Sequence, residues 1–269
     1  MITPFLRWAG GKRSQLDQIL PLLPKGKRLV ETFVGAGSIF MNAGYTDVLV
    51  NDLNPDLIGI YQNLVGQKGW DLILAAKDLQ KWVNSEQRYL ELRSQFNSGK
   101  YNSFSKAVFF LVLNRTCFNG LSRYSKNGFN VPWGQKEIPY FPEEELGTYL
   151  QLNICTSTLS ADFKSVFKLV RKDDTVFCDP PYEPLPGKKG FTTYTGSTFT
   201  MDHQRSLVEC CLDAQKRGAK VMITNSSAPA LIDLYKASGF EIHPLIARRN
   251  IAANADTRHD ANDIMAILR

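Results

Sequence analysis

Two short runs in this chain combine residue types that can do chemistry. The first is Asp179-Pro180-Pro181-Tyr182, which follows directly on the apolar stretch Thr175-Val-Phe-Cys178. A carboxylate at the end of a buried strand, then two prolines and an aromatic ring, makes a rigid corner rich in acceptors. The prolines fix φ and remove two N–H donors, so nearby carbonyls stay free to accept from a ligand. The Asp179 carboxylate and the Pro180 carbonyl can then both accept from one amino group, while Tyr182 offers a stacking face. The second run is Phe33-Val-Gly-Ala-Gly-Ser38, a Phe-x-Gly-x-Gly turn. Gly35 and Gly37 let a backbone come close to a ligand, and a helical stretch beginning at Ile39, Phe40 and Met41 would add free N–H groups. The turn lacks the third glycine of the dinucleotide fingerprint. Asp52 strengthens it, because an acid ending the next strand stands where ribose hydroxyls are held.

The other reactive side chains form no comparable set. The five cysteines are Cys117, Cys155, Cys178, Cys210 and Cys211, with no C-x-x-C pair and only three histidines. That argues against a disulfide framework and against a metal site, and a reducing cytoplasm is the expected setting. Cys178 lies in an apolar strand and reads as core packing. Cys210 and Cys211 are adjacent on a helix and are expected to be reduced. His203, His243 and His259 share no ligand-like spacing and read as surface or loop residues. Arg248, Arg249 and Arg258 flank a loop before the last strand, where they suit phosphates or solvent equally.

A strand, turn and helix framework is needed to position these residues, and the apolar pattern supplies one. Residues 29–33 read as a strand entering the glycine turn, and residues 47–50 as a second strand ending at Asn51-Asp52. Strand, glycine turn, helix, strand, acid is the order of a Rossmann-like half. From Leu57 to about Leu113 the period becomes helical, with Phe104 to Leu113 apolar enough for a buried helix. Residues 114–142 are rich in turn signals, and 121–126 and 129–133 pair as two short arms of a hairpin. Alternation then resumes. Residues 152–156 read as a strand, 161–170 as mostly helical, and 175–178 as a buried strand. Thr200 caps a helix carrying Leu207, Val208, Cys211 and Leu212 that stops at Gly218, and 221–224, 240–246 and 264–268 are further strands. The architecture expected is an α/β sheet domain built from residues 1–55 and 146–269, interrupted by a mainly helical insertion at 56–145.

Composition sets the outer bounds. The chain has 269 residues, 43% of them hydrophobic and 22% charged, which excludes a disordered, collagenous or coiled-coil protein. No apolar run approaches the roughly 18 residues of a membrane span, and the N-terminus has no apolar signal core, so neither membrane nor export is expected. Lys and Arg number 32 against 26 acids, a net charge of +6. Residues 94–136 hold Lys100, Lys106, Arg115, Arg123, Lys126 and Lys136, no acid, and nine aromatics. The rest of the chain is balanced at 26 basic and 26 acidic residues, so the surplus is local and lies where phosphates could be neutralised.

Phe-x-Gly-x-Gly followed later by Asp-Pro-Pro-Tyr resembles the S-adenosylmethionine-dependent amino-methyltransferases of DNA. The resemblance extends over nearly the whole chain. Phe5-Leu-Arg-Trp-Ala-Gly-Gly-Lys12, Phe33 to Ser38, Asn114-Arg115, Asn119-Gly-Leu121, Arg123-Tyr124, Phe129-Asn-Val-Pro132 and Asp179 to Tyr182 are similar to those of Dam-type DNA adenine-N6 methyltransferases. The order, with cofactor motif first, recognition segment in the middle and catalytic motif last, is that of the α group. The resemblance implies a Rossmann-like S-adenosylmethionine-dependent methyltransferase core with an inserted, mainly helical DNA-recognition domain carrying a β-hairpin.

It also implies roles for particular residues. Trp8, Lys12, Phe33, Gly35, Gly37, Asp52 and Asp179 would form the cofactor site, Asp52 holding the adenosine portion. Asp179, Pro180, Pro181 and Tyr182 would be catalytic and hold a flipped adenine. Lys12, Arg115, Phe118, Asn119, Leu121, Arg123, Asn130 and Pro132 would contact DNA, with Arg123 reading a guanine edge. Phe118 stands where the Dam pattern commonly has tyrosine, so a wedge remains but a hydroxyl contact is lost.

The reaction expected is methyl transfer to the N6 amine of adenine in double-stranded DNA, within GATC, by a monomeric cytoplasmic enzyme associated with DNA. Two acceptors on the amine protons favour a pyramidal nitrogen whose lone pair can attack, so Asp179 acts as acceptor and orienter rather than as a strong base. A cytosine-N4 methyltransferase shares the fold but more often has Ser in place of Asp179. Protein-glutamine and ribosomal-RNA methylation is more often associated with Asn-Pro-Pro-Tyr. A non-catalytic DNA-binding module gains nothing from intact glycines and an intact Asp-Pro-Pro-Tyr run.

Overall fold

Short runs of alternating side chains make the strands: β1 (Arg28–Glu31), β2 (Asp47–Asn51), β3 (Tyr124–Ser125), β4 (Gly128–Phe129), β5 (Cys155–Leu159), β6 (Asp174–Cys178), β7 (Lys220–Ser226), β8 (Glu241–Ile246) and β9 (Asn262–Leu268). The helices are α1 (Leu16–Leu22), α2 (Pro55–Asn63), α3 (Gly66–Trp82), α4 (Glu86–Asn97), α5 (Ser103–Thr116), α6 (Glu143–Leu150), α7 (Phe163–Phe167), α8 (Met201–Lys216) and α9 (Pro229–Ala237). This is a computed structural model, and it describes residues 1–135, 139–182, 199–246 and 262–269. Arg248, Arg249, Arg258, His259 and Lys136 lie outside the described residues.

Seven strands form one sheet in the order β5-β2-β1-β6-β7-β9-β8. All neighbours are parallel except β9, which runs antiparallel to both β7 and β8. Chain order reverses between β1 and β6, so a crevice opens at their C-terminal ends, where ligands bind in open α/β sheets. This is the Rossmann-like α/β fold that the strand and turn pattern predicts.

The period of two sorts the strand residues onto two apolar layers. Val30, Leu49, Val176, Cys178, Val221, Ile223, Ile264 and Ala266 pack with Phe163, Leu207, Cys211, Leu231 and Tyr235 of α7, α8 and α9. Leu29, Val48, Val50, Phe177, Met222, Met265 and Ile267 face the other way, in one continuous core with Phe5, Leu57, Leu72, Leu92, Phe110 and Leu111. The segment between β2 and β5, close to the expected 56–145 insertion, therefore covers one face of the sheet and shares its core. No helix among the described residues is long and apolar enough to cross a membrane.

Four local expectations change. No helix follows the glycine turn: residues 38–42 form turns, with Met41 N–H bonded to Gly37 and Asn42 and Ala43 N–H groups both bonded to Ile39. The Phe40 N–H goes instead to the Glu31 carboxylate, and the Asn42 amide donates to Ile2 and Ser38 carbonyls, which diverts the backbone from a helical ladder. The third strand begins at Cys155 rather than Leu152, because Leu152 and Ile154 alternate only to pack under the insertion. The true strand, Cys-Thr-Ser-Thr-Leu, is polar because it lies at the sheet edge. Residues 161–170 contain only the single-turn helix α7, and the hairpin pairs only Tyr124 with Phe129 and Ser125 with Gly128. The Thr200 cap forms as expected: its side chain and that of His203 make a reciprocal capping box at α8.

Candidate active site

β1 and β2 deliver the glycine turn and Asp52 to the crevice side by side. The Asp52 carboxylate accepts from the Gly35 N–H at 3.2 Å and the Asn54 N–H at 3.0 Å, so it fixes the turn. Burial pushes its pKa up, against those backbone donors, which pull it down. Gly35 has φ +48° and Gly37 φ +76°, a region open mainly to glycine. What crowds them is the protein itself. A Cβ on Gly35 would stand 2.8 Å from Trp8 Cδ1, and one on Gly37 would stand 2.4 Å from Phe40 Cε1 and 2.9 Å from the Tyr61 hydroxyl. The Tyr61 hydroxyl in turn donates to the Gly35 carbonyl at 3.0 Å. Trp8 therefore lies against the turn.

Three rings line the same end of the sheet. Phe33, Phe163 and Phe199 stand mutually 5.8–5.9 Å apart, centroid to centroid. Only Phe33 was singled out in the sequence. Phe163 and Phe199 lie 130 and 166 positions away, so no local spacing connects them. Ser38 Oγ, at the far end of the turn, is buried without a hydrogen-bond partner.

β6 and β7 build the second half of the site. The Asp179 carboxylate accepts from the Thr224 hydroxyl at 2.7 Å through Oδ1, and pairs with the Lys12 ammonium at 2.7 Å through Oδ2. Lys12 Nζ also donates to the Gly10 carbonyl at 2.9 Å and stands 4.9 Å from the Tyr182 ring centroid. Lys12 is only 6% exposed, so this ammonium is held inside the corner rather than in solvent. The Tyr182 hydroxyl donates to Asp263 Oδ2 at 3.1 Å. Burial, reinforced by the charges of Asp179 and Asp263, pushes the Tyr182 phenol well above its ordinary pKa, which keeps it a donor. Lys12 is thus brought against Asp179 and Tyr182, and Thr224 and Asp263, which the sequence does not single out, join them.

Glu31 is the buried acid that sequence reading passed over, although it precedes the glycine turn by only two residues. It is 2% exposed and accepts from the Phe40 N–H at 3.1 Å. Burial raises its carboxyl well above the ordinary range, and the charges of Asp179 and Asp52 add to the rise. An acid whose folded pKa exceeds its unfolded one binds more protons when folded, so stability falls as pH rises between the two values. Urea unfolding should show the protein losing stability from about pH 5 upward, and Glu31→Gln should flatten that decline. Parallel curves for the two proteins would mean that Glu31 is ionised in the fold.

A second group of predicted residues lies apart from the crevice, on the hairpin and the turn before it. Phe118, Asn119, Arg123 and Pro132 are exposed, while Leu121 and Asn130 are half-buried. The segment is pinned from below. Tyr124 donates to Asp56 at 2.8 Å, Asn97 bonds both backbone groups of Phe129, and Tyr89 donates to the Val131 carbonyl at 2.7 Å. Asn130 is occupied differently from expectation. Its side-chain oxygen accepts from Arg123 Nε at 2.8 Å and its carbonyl accepts from the same guanidinium at 3.0 Å, so it aims Arg123.

Arg115 corrects the expectation of a direct DNA contact. It is 7% exposed, and its guanidinium donates to the Tyr140 carbonyl at 2.9 and 3.1 Å and to the Phe5 carbonyl at 3.5 Å. Burial lowers its pKa to about 10, still far above neutrality. In the last turn of α5, Arg115 is a buried brace between the N-terminal segment and the insertion. Cys178 and Cys211 are buried and all five cysteines are free thiols, as expected, and no metal-binding cluster exists among the described residues.

A doubly wound sheet whose switch point carries a glycine turn, an acid bonded to that turn and an Asp-Pro-Pro-Tyr corner is a Rossmann-like α/β fold. Residues 8–251 match the family described as D12 class N6 adenine-specific DNA methyltransferase, and the chain belongs to that family. It is 46% identical over 263 residues to a DNA N-6-adenine-methyltransferase of Escherichia phage P1, covering 97% of this chain but 35% of that protein. It is 38% identical over 269 residues to a DNA adenine methylase of Vibrio cholerae serotype O1, and 37% identical over 274 residues to one of Escherichia coli K12. Each of those two alignments covers 98% of this chain and 95% of the relative. The chain therefore spans about a third of the phage relative's length and nearly all of the bacterial ones.

Proposed function

We propose that this protein transfers a methyl group from S-adenosylmethionine to the N6 amine of an adenine swung out of double-stranded DNA, within GATC. One observation carries the reading: the Asp179 carboxylate already accepts from an amino group, that of Lys12, inside the Asp-Pro-Pro-Tyr corner. An adenine amine offers donors of the same kind. Thr224 occupies Oδ1, so Oδ2 is the oxygen left to meet the substrate once Lys12 withdraws. With the Pro180 carbonyl as second acceptor, both amine protons are drawn into fixed directions and the nitrogen lone pair is freed from the ring. Tyr182 replaces part of the stacking lost when the base leaves the duplex.

The crevice suits S-adenosylmethionine on its own evidence. The cluster of Phe33, Phe163 and Phe199 would stack an adenine, Asp52 would accept from ribose hydroxyls, and Ser38 Oγ is a buried polar atom still without a partner. Trp8, Gly35, Gly37 and Asp179 would complete the cofactor site. When bound, that cofactor supplies a methyl group already activated on a sulfonium, so the protein contributes alignment and electrostatics.

The hairpin supplies sequence reading. A guanidinium suits the O6 and N7 edge of guanine, a contact worth about 1–3 kcal/mol of discrimination. Phe118, Leu121 and Pro132 would meet bases or the opposite strand, and Asn119 a neighbouring edge, with Asn130 acting through Arg123. The reducing setting fits free thiols, and we assign the enzyme to the cytoplasm, on DNA, as a monomer.

Labelled methyl transfer to duplexes with and without GATC, followed by base analysis, tests the reading. N6-methyladenine only in GATC duplexes is expected; N4-methylcytosine, or no incorporation into any DNA, overturns it. On the same substrates Arg123→Ala should relax discrimination at one guanine by about 5- to 150-fold. An unchanged site preference would remove Arg123 from the reading surface.

A further inference from the structure

The prolines of the Asp-Pro-Pro-Tyr corner fix its backbone, but they leave the Tyr182 ring free to turn about its side-chain torsions. A stacking platform works only with its plane set in advance. The far end of the ring supplies the missing restraint: its hydroxyl donates to Asp263 Oδ2 at 3.1 Å, across 81 residues of sequence. Asp263 sits at the start of β9, opposite Ser226 of β7. It is held on a second side by Gln15 Nε2 at 3.4 Å. Its cross-strand neighbour does not compete, since Ser226 Oγ makes no hydrogen bond. The segment leaving β6 thus holds the ring at Cβ, and the first residues of β9 hold it at the hydroxyl.

We propose that Asp263 is a positioning residue that sets the plane of Tyr182 for the flipped base. The antiparallel placement of β9 gives this a structural reason. Running against β7, it presents its first residues, not its last, at the crevice, so an acid at its start reaches a site otherwise built from strand C-termini. The inference rests on the reading of Tyr182 as a stacking surface.

The test is a double-mutant cycle on the full chain, with turnover on GATC duplex and the fluorescence of a duplex carrying 2-aminopurine at the target adenine. Asp263→Ala and Tyr182→Phe both remove the charged hydrogen bond between the two residues, the former together with the longer Gln15 contact, and each should lower kcat by about 10- to 100-fold with little change in KM for DNA. The double variant should be no worse than either single one, because both remove the same bond. Asp263→Asn keeps an acceptor and should retain most of the turnover. The fluorescence of the extruded base should rise in Asp263→Ala relative to the parent, as stacking on the ring weakens. Wild-type kcat in Asp263→Ala, or losses that multiply in the double variant, would overturn the inference. Should Asp263→Ala fold poorly, Tyr182→Phe breaks the same bond without touching β9, and wild-type kcat there is equally decisive. Tyr182→Ala separates the two levels. If it retains turnover, the stacking role itself fails; if it loses turnover while Asp263→Ala does not, only Asp263 is excluded.

Discussion

Replacing Asp179 by alanine should lower turnover by at least about 100- to 1,000-fold, the scale of losing one preorganised polar group at a reacting centre. In the proposed reaction this carboxylate is the fixed acceptor for the amine, held by Thr224 on one oxygen and by Lys12 on the other. The single variant has a second effect. It strands the Lys12 ammonium at 6% exposure beside the Gly10 carbonyl, the Tyr182 ring and the more distant Asp263 charge, and breaking such a buried pair costs about 3–5 kcal/mol of stability. Loss of activity alone would therefore be ambiguous. Lys12→Met with Asp179→Ala removes both charges together and should recover much of the stability while remaining inactive. Thermal unfolding and single-turnover methylation, measured on the parent and the two variants, distinguish the two. Turnover near the parent level in a folded Asp179→Ala protein would falsify the role assigned to it.

The same pair shows how far sequence reasoning reaches. Asp179 and Lys12 were each legible because each lies in a compact motif, and the crevice was legible because strand, glycine turn, strand and acid follow in order. Their mutual contact was not, since 167 positions separate them and only the folded sheet brings the N-terminal segment over the end of β6. Thr224 and Asp263 were invisible for a related reason. Each stands within an apolar strand with no motif around it, and its value comes from which strand neighbours which. Arg115 failed in the opposite direction. It sits in a basic, aromatic segment, and composition cannot say which of its charges point inward. The hairpin was predicted longer than it is because Phe129 and Val131 alternate like strand residues, while Asn97 and Tyr89 take the backbone bonds that a longer ladder would use. The helix after the glycine turn failed because Glu31, a side chain, captures the Phe40 N–H that a helix would need.

Gly37→Ala should be among the most damaging single-methyl changes in the molecule. Two penalties act together there. A left-handed φ of +76° costs a non-glycine residue about 1–2 kcal/mol. The added Cβ would also stand 2.4 Å from Phe40 Cε1, 2.9 Å from the Tyr61 hydroxyl and 3.0 Å from Met41 Cε, all buried side chains, and overpacking of that kind costs about 1–3 kcal/mol more. The expected total is about 2–5 kcal/mol, or a fall in Tm of about 5–15 °C for a chain of this size. Gly44 is the internal control. Its φ is +74°, almost the same, yet a Cβ there meets nothing within 4 Å. Gly44→Ala should therefore show only the backbone cost, and the difference between the two variants isolates the packing. The difference also bears on function, because relief at Gly37 must move Tyr61, and Tyr61 donates to the Gly35 carbonyl in the turn that Asp52 fixes from the other side. Cofactor affinity, measured by calorimetry well below Tm, should fall in Gly37→Ala and stay near the parent value in Gly44→Ala. Equal losses of Tm in the two variants would show that the crowding around Gly37 relaxes freely, and that the turn owes its shape to the backbone alone.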